Sequence, residues 1–194
     1  MFSLTLLQAP QASGEVYWDA ANALGLLAFA LLLYLYFDTG SGHRQQIHKW
    51  LSYLGGVALL AHVALLWIPD PTIWNYLSFA APWYMLAGLL SLGLVVLITL
   101  ISTPAKRRFW HGDYRRFQAL HEWLALAVIA TALWHMIASG FYLSTLESAL
   151  LICLCVAIWA LKRTDKLPSP TGSFATTWGV LAIPAGFVVL KWAL

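Results

Sequence analysis

Four histidines form two pairs with the same internal spacing, and this is the feature of the sequence most able to do chemistry. The run His48-Lys49-Trp50-Leu51 opens an apolar stretch that ends at His62, and the run His121-Glu122-Trp123-Leu124 opens a second that ends at His135. Each pair is 14 residues apart, which is about 3.9 helical turns and roughly 21 Å of rise, so both rings leave nearly the same helix face. Neutral imidazole is the commonest metal-ligating side chain. Two such helices side by side would present two facing imidazole pairs, an arrangement that can hold two flat metal macrocycles stacked across a membrane.

The composition predicts an integral membrane protein. The 194 residues are 61% hydrophobic and only 10% charged, with a mean hydropathy of +0.73, whereas soluble domains are about 45–50% apolar and about 25% charged. A net charge of +3 is too small and too dispersed to indicate a nucleic-acid partner. The two cysteines, Cys153 and Cys155, point apart at a spacing of two on a helix, which argues against a disulfide or a cysteine-rich metal site.

Six apolar stretches are long enough to span a bilayer, for which roughly 17–25 residues are needed. They cover about residues 16–37, 47–68, 82–101, 118–141, 145–161 and 174–193. The fifth is the shortest, and the sixth carries Pro184, which is expected to kink it. Residues 1–14 have no basic region typical of a cleaved signal peptide. The sequence therefore predicts a single all-α domain, a six-helix transmembrane bundle in contact with lipid.

The connecting segments divide by charge and predict the orientation. Ten of the eleven basic residues fall in or beside the segments 38–46, 102–117 and 162–173. By the positive-inside rule, these three segments face the cytoplasm and both termini lie outside a bacterial-type inner membrane. The second and fourth helices are then parallel, so that His48 lies level with His121 and His62 level with His135.

Several readings of the histidines follow. Zinc or iron bound directly would need ligands clustered in one coordination sphere, whereas two imidazoles suit the axial positions of haem iron and favour electron transfer. Four packing histidines are the plainer alternative. Gly55 and Gly56, midway between His48 and His62, could admit a macrocycle or a neighbouring helix. Four cations near the cytoplasmic end could bind haem propionates or a donor, although the topology alone would place them there: Arg44, Lys49, Arg115 and Arg116.

The paired histidines, on the second and fourth of six helices with an arginine-rich loop between them, resemble the ferric reductase-like transmembrane domain. This family includes ferric reductases, NADPH oxidases and the haem membrane subunit of the periplasmic methionine sulfoxide reductase system. The resemblance covers about residues 16–161. It implies two b-type haems, the inner ligated by His48 and His121 and the outer by His62 and His135. Dihaem cytochromes b of quinol-oxidising complexes use similar histidine pairs, but their Pro-Glu-Trp-Tyr motif has no counterpart in this sequence.

The resemblance implies transmembrane electron transfer from a cytoplasmic donor to an acceptor outside, either ferric iron or a periplasmic redox protein. There is no G-x-G-x-x-G motif after a strand, so a flavin reductase, a bound flavin or a quinol must convert hydride into single electrons. Whether the chain is an enzyme depends on the acceptor. The alternatives are a subunit that feeds a periplasmic oxidoreductase, a quinol-linked dihaem cytochrome b, and a non-redox haem-binding membrane protein.

Overall fold

The computed structural model describes most of the first 140 residues and part of the segment after them. The described residues are 16–37, 43–68, 71–78, 80–103, 114–140, 147, 149–150, 152–154 and 156. The predicted sixth helix, residues 174–193, lies outside these ranges, as does much of the predicted fifth.

Four long helices make up the described bundle. They are α1 (Val16–Phe37), α2 (His43–Trp67), α3 (Trp83–Ile101) and α4 (Tyr114–Ser139), with a short 3₁₀ helix, Pro71–Leu77, between α2 and α3. Each contains an apolar segment of at least 19 residues, long enough to cross a hydrocarbon core of about 30 Å. The prediction of an all-helical, multi-pass membrane protein is confirmed for the described residues, and the total of six helices stays a prediction.

Two helices extend further at their N-terminal ends than the apolar pattern predicts. α2 begins at His43 and α4 at Tyr114, each four residues before the predicted start. The added turns are polar, and hydropathy marks only the part of a helix that contacts lipid. α4 ends at Ser139, where Gly140 has a φ of 71°, a left-handed conformation that commonly terminates helices because glycine adopts it without a Cβ clash.

The helices pack as two hairpins. α1 lies along α2, α3 lies along α4, and the hairpins meet through α1 and α4. Ser91 of α3 is buried and donates a hydrogen bond to the Val128 carbonyl of α4 at 3.2 Å. A Cβ on Gly55 would lie 3.6 Å from Leu31 of α1, so this glycine serves helix contact. Small residues at such interfaces allow the close approach that drives helix association in lipid.

A buried apolar cluster joins the two hairpins. It contains Phe29 of α1 together with Leu133 and Ile137 of α4. Described residues of the predicted fifth helix complete the cluster, and their spacing of three and four places them on one helix face: Ala149, Ile152 and Val156. The cluster therefore fixes α4, which carries one histidine of each pair, against α1.

Candidate functional site

The inner pair, His48 of α2 and His121 of α4, lie side by side. Their ring centroids are 6.4 Å apart and their planes are tilted by 49°. A ring nitrogen binds a transition metal at about 2.0–2.1 Å, and ring bonds of about 1.33 Å put the centroid roughly 1.1 Å behind that nitrogen. One metal between two opposed imidazoles would therefore separate the centroids by about 6.2–6.4 Å. The observed centroid separation lies at the upper end of this range.

The side chain of Ser102 fixes the protonation of His121. Ser102 Oγ donates its hydrogen to the Ile98 carbonyl at 2.6 Å and lies 3.3 Å from His121 Nδ1. Because the only hydroxyl hydrogen is already used, Nδ1 must carry a proton and donate it to Oγ. The lone pair of a neutral His121 is then on Nε2, which is the ring nitrogen that could act as a metal ligand in this tautomer. The Phe117 ring, 5.5 Å from the imidazole centroid, packs beside it.

The outer histidines are held by backbone carbonyls on preceding helices. His62 Nδ1 donates to the Ala21 carbonyl of α1 at 2.7 Å, and His135 Nδ1 donates to the Tyr84 carbonyl of α3 at 2.8 Å. A carbonyl can only accept, so each Nδ1 carries the proton and each Nε2 the lone pair. Both hairpins thus repeat one contact, in which the second helix supplies the imidazole and the first helix supplies its acceptor.

His62 and His135 line the same cavity. All four helices contribute to its wall, and the 3₁₀ helix adds Tyr76 and Leu77. The space is about 1490 Å³, including the part open to solvent. The lining is largely apolar and includes Phe29 and Leu59 as well as the two imidazoles. Two imidazoles from different hairpins therefore line one apolar cavity.

The predicted cation contacts are only partly within the described residues. The side chains of Lys49 and Arg116 are exposed, whereas those of Arg44 and Arg115 lie outside the described set. Trp50 and Trp123, two positions after the inner histidines, are 65% and 57% exposed. Their exposure favours the aromatic belt at the membrane interface over a role in lining the site.

The donor set indicates one kind of metal chemistry. Among the described residues, no three His, Cys, Asp or Glu side chains cluster as a metal site would require. Instead the four imidazoles form two pairs, each with one histidine from α2 and one from α4, at two positions along these helices. Structural metal sites of zinc type take four protein ligands, whereas a metal macrocycle supplies its own equatorial ligands and needs only axial ones. Imidazoles in twos would therefore suit such a macrocycle better than a metal ion held by protein ligands alone.

Sequence reasoning found all four histidines and missed their partners. The acceptors are the Ala21 carbonyl, the Tyr84 carbonyl and the Ser102 hydroxyl. The two carbonyls carry no side-chain signal, since every residue has one. Ser102 had a signal, because a hydroxyl at the end of an apolar helix, level with a histidine of the next, is a suitable acceptor.

Replacing Ser102 by Ala should loosen His121 without affecting His135. The substitution removes the acceptor of the Nδ1 proton, so His121 should redistribute between its two neutral tautomers. This redistribution should change the ¹⁵N chemical shifts of His121, measured by nuclear magnetic resonance on histidine-labelled protein prepared without added cofactor. Ser102→Thr keeps the hydroxyl and serves as the control. His121 shifts identical in Ser102→Ala and wild type would contradict the assignment.

Comparison with known proteins agrees with this geometry. The family model for the ferric reductase like transmembrane component matches residues 21–132, more than half of the chain. The match includes His48, His62 and His121 and ends three residues before His135. Neither the search of curated proteins nor that of solved structures gave a match. The chain therefore belongs to the family of ferric reductase-like transmembrane components, as its histidine pattern predicted.

Proposed function

We propose that this protein carries electrons across the membrane through two b-type haems, the inner held by His48 and His121 and the outer by His62 and His135. The observation that carries the proposal is the duplicated pairing of imidazoles at two depths. Membership of the ferric reductase-like family supports it, because such domains generally bind haem. The four histidines would hold the haems, and the haem iron would supply reversible one-electron chemistry there.

The protein's own residues would orient the ligands and keep the site dry. The hydrogen bonds from Nδ1 of His62 and His135 to carbonyls fix each ring and raise the basicity of the ligating nitrogen. The apolar wall of the outer cavity lowers the local dielectric, in which fixed dipoles such as these carbonyls act more strongly. These features favour a permanently bound cofactor over histidines that merely pack.

The direction of transfer follows from the charge of the loops. With the basic segments in the cytoplasm and both termini outside, His48 and His121 lie near the cytoplasmic face of an inner membrane. Electrons would enter there, from a flavin reductase, a flavin or a quinol, and leave beside His62 and His135. Lys49 and Arg116, with Arg44 and Arg115, would attract the donor or the inner propionates. The acceptor outside would be ferric iron or a periplasmic redox protein; in the second case the chain acts as an electron-transfer subunit.

Haem analysis tests the central claim. The purified protein should contain two low-spin haems b. His62→Ala or His135→Ala should lose the outer haem and largely spare the inner, and His48→Ala or His121→Ala should do the reverse. Absorbance after reduction with dithionite and the pyridine haemochrome give the stoichiometry. His43→Ala and His111→Ala, outside the pairs, should keep both haems. A protein with one haem or none, unchanged by the four substitutions, would refute the proposal.

Labelling in intact cells tests the orientation. In a background with Cys153 and Cys155 replaced by Ser, Arg108→Cys should resist a membrane-impermeant maleimide and Asp70→Cys should react. Disruption of the cells should expose Arg108→Cys to the reagent, which controls for its intrinsic reactivity. Labelling of Arg108→Cys in intact cells would reverse the proposed direction of electron flow.

Reduction assays test the need for a separate donor. Flavin-free protein should not be reduced rapidly by NADH or NADPH, whereas a flavin reductase or reduced flavin should reduce it. The basic loop should steer an acidic donor by long-range attraction, which salt screens. Neutralising its five cations should slow reduction most at low ionic strength and leave the haem spectrum intact; they are Lys106, Arg107, Arg108, Arg115 and Arg116. Rapid reduction by NADH alone would reveal a donor site within the chain.

A further inference from the structure

Two glycines lie directly against the outer histidines. A Cβ built on Gly25 of α1 would lie 3.0 Å from His62 Nδ1, and one built on Gly88 of α3 would lie 2.8 Å from His135 Nδ1. At Gly88 two further ring atoms, Cε1 and Cγ, would be 3.1 Å away. These separations are shorter than ordinary van der Waals contact between heavy atoms, about 3.5–4.0 Å between carbons. Neither helix could carry a larger residue here without moving the imidazole.

The position of each glycine in its helix explains the contact. Gly25 and Gly88 each follow, by four residues, the residue whose carbonyl accepts the imidazole bond, Ala21 and Tyr84. In an α-helix the carbonyl of residue i is bonded to the N–H of residue i+4, and a second lone pair remains. The Cα–Cβ bond of residue i+4 tilts toward the helix N-terminus, so its Cβ would stand beside that same carbonyl. A Cβ on residue i+4 would therefore crowd an imidazole that approaches this carbonyl from the side, and glycine removes that obstacle.

We propose that Gly25 and Gly88 are positioning residues for the outer metal site. Each opens one helix carbonyl to the Nδ1 proton of a histidine and sets the orientation of that ring. The consequence for a bound haem rests on the proposed function, whereas the consequence for the imidazoles does not. The arrangement occurs once in each hairpin, and its repetition argues against a chance contact.

Another glycine of the same helix provides a matched control. Nothing lies within 4 Å of a Cβ built on Gly93, which lies in α3 with Gly88. Alanine is a better helix former than glycine, so Gly93→Ala should leave both outer histidines unchanged. A general effect of adding a methyl group to a membrane helix would appear in Gly93→Ala as well.

The expected effect of each glycine substitution depends on how close the new Cβ would lie to the imidazole. In Gly88→Ala the new methyl must displace the His135 ring and lengthen its bond to the Tyr84 carbonyl. Gly25→Ala is less crowded, since the distances from its Cβ to the ring atoms of His62 are 3.0–3.4 Å, and it should give a smaller change. The inner pair should be unaffected in both variants and so report that the bundle is folded.

The decisive experiment compares Gly25→Ala and Gly88→Ala with the controls, Gly93→Ala and wild type, in the full chain. In oxidised holoprotein we expect Gly88→Ala to shift or broaden the low-spin electron paramagnetic resonance signal of the outer haem and to shift its midpoint potential. Loss of one of the two haems is the extreme form of the same result. The inner signal should be the same in all variants, and Gly93→Ala should match wild type in both signals.

A second measurement does not depend on haem. In protein prepared without cofactor, Gly88→Ala should change the histidine ¹⁵N shifts of His135, and Gly25→Ala those of His62, while the controls change neither. If wild-type protein binds no haem, the proposed function fails but this measurement still tests the glycines. If Gly88→Ala does not fold, the result for Gly25→Ala tests the proposal instead. Variants that match their controls in both the resonance signal and the ¹⁵N shifts would overturn the proposal.

Discussion

The rest of the structure depends on a hydrogen bond from a histidine Nδ1 to a helix carbonyl. In the hydrocarbon core an unpaired polar nitrogen is costly, yet an imidazole that binds a metal must keep one nitrogen unbonded by protein. The bonds of His62 and His135 to carbonyls meet both needs. The acceptor satisfies Nδ1, and because a carbonyl has no hydrogen to give, it also fixes which nitrogen keeps the lone pair.

This constraint accounts for the pairing of the helices. In both hairpins the acceptor comes from the preceding helix, so one hydrogen bond orients the imidazole and also ties the two helices together. The inner site reaches the same result differently. Ser102 follows the last residue of α3. Its hydroxyl accepts the proton of His121 Nδ1 and donates its own hydrogen to the Ile98 carbonyl. The same tautomer is obtained with a side chain in place of direct backbone contact.

In the proposed function, two levels of imidazoles would divide electron transfer across the membrane into shorter steps. Residues 14 apart on α2 or α4 rise by roughly 21 Å, most of a hydrocarbon core of about 30 Å. With a single metal site, an electron would have to cross the rest of the membrane in one transfer. The buried cluster of Phe29, Leu133 and Ile137 holds α4 against the first hairpin, and with it the facing histidines. This packing thus sets the separation on which the proposed ligation depends.

The sequence by itself determined the membrane class, the four described helices and the two histidine pairs, because hydropathy and helical periodicity are local properties. It directed attention to Gly55 and Gly56, which lie between His48 and His62 along α2. The glycines that touch imidazoles are Gly25 and Gly88, on the preceding helices. Only the tertiary structure decided these contacts and the carbonyl acceptors, because they depend on how far each helix is rotated and shifted against its neighbour. That rotation is set by the packing of whole faces, which no short stretch of sequence encodes.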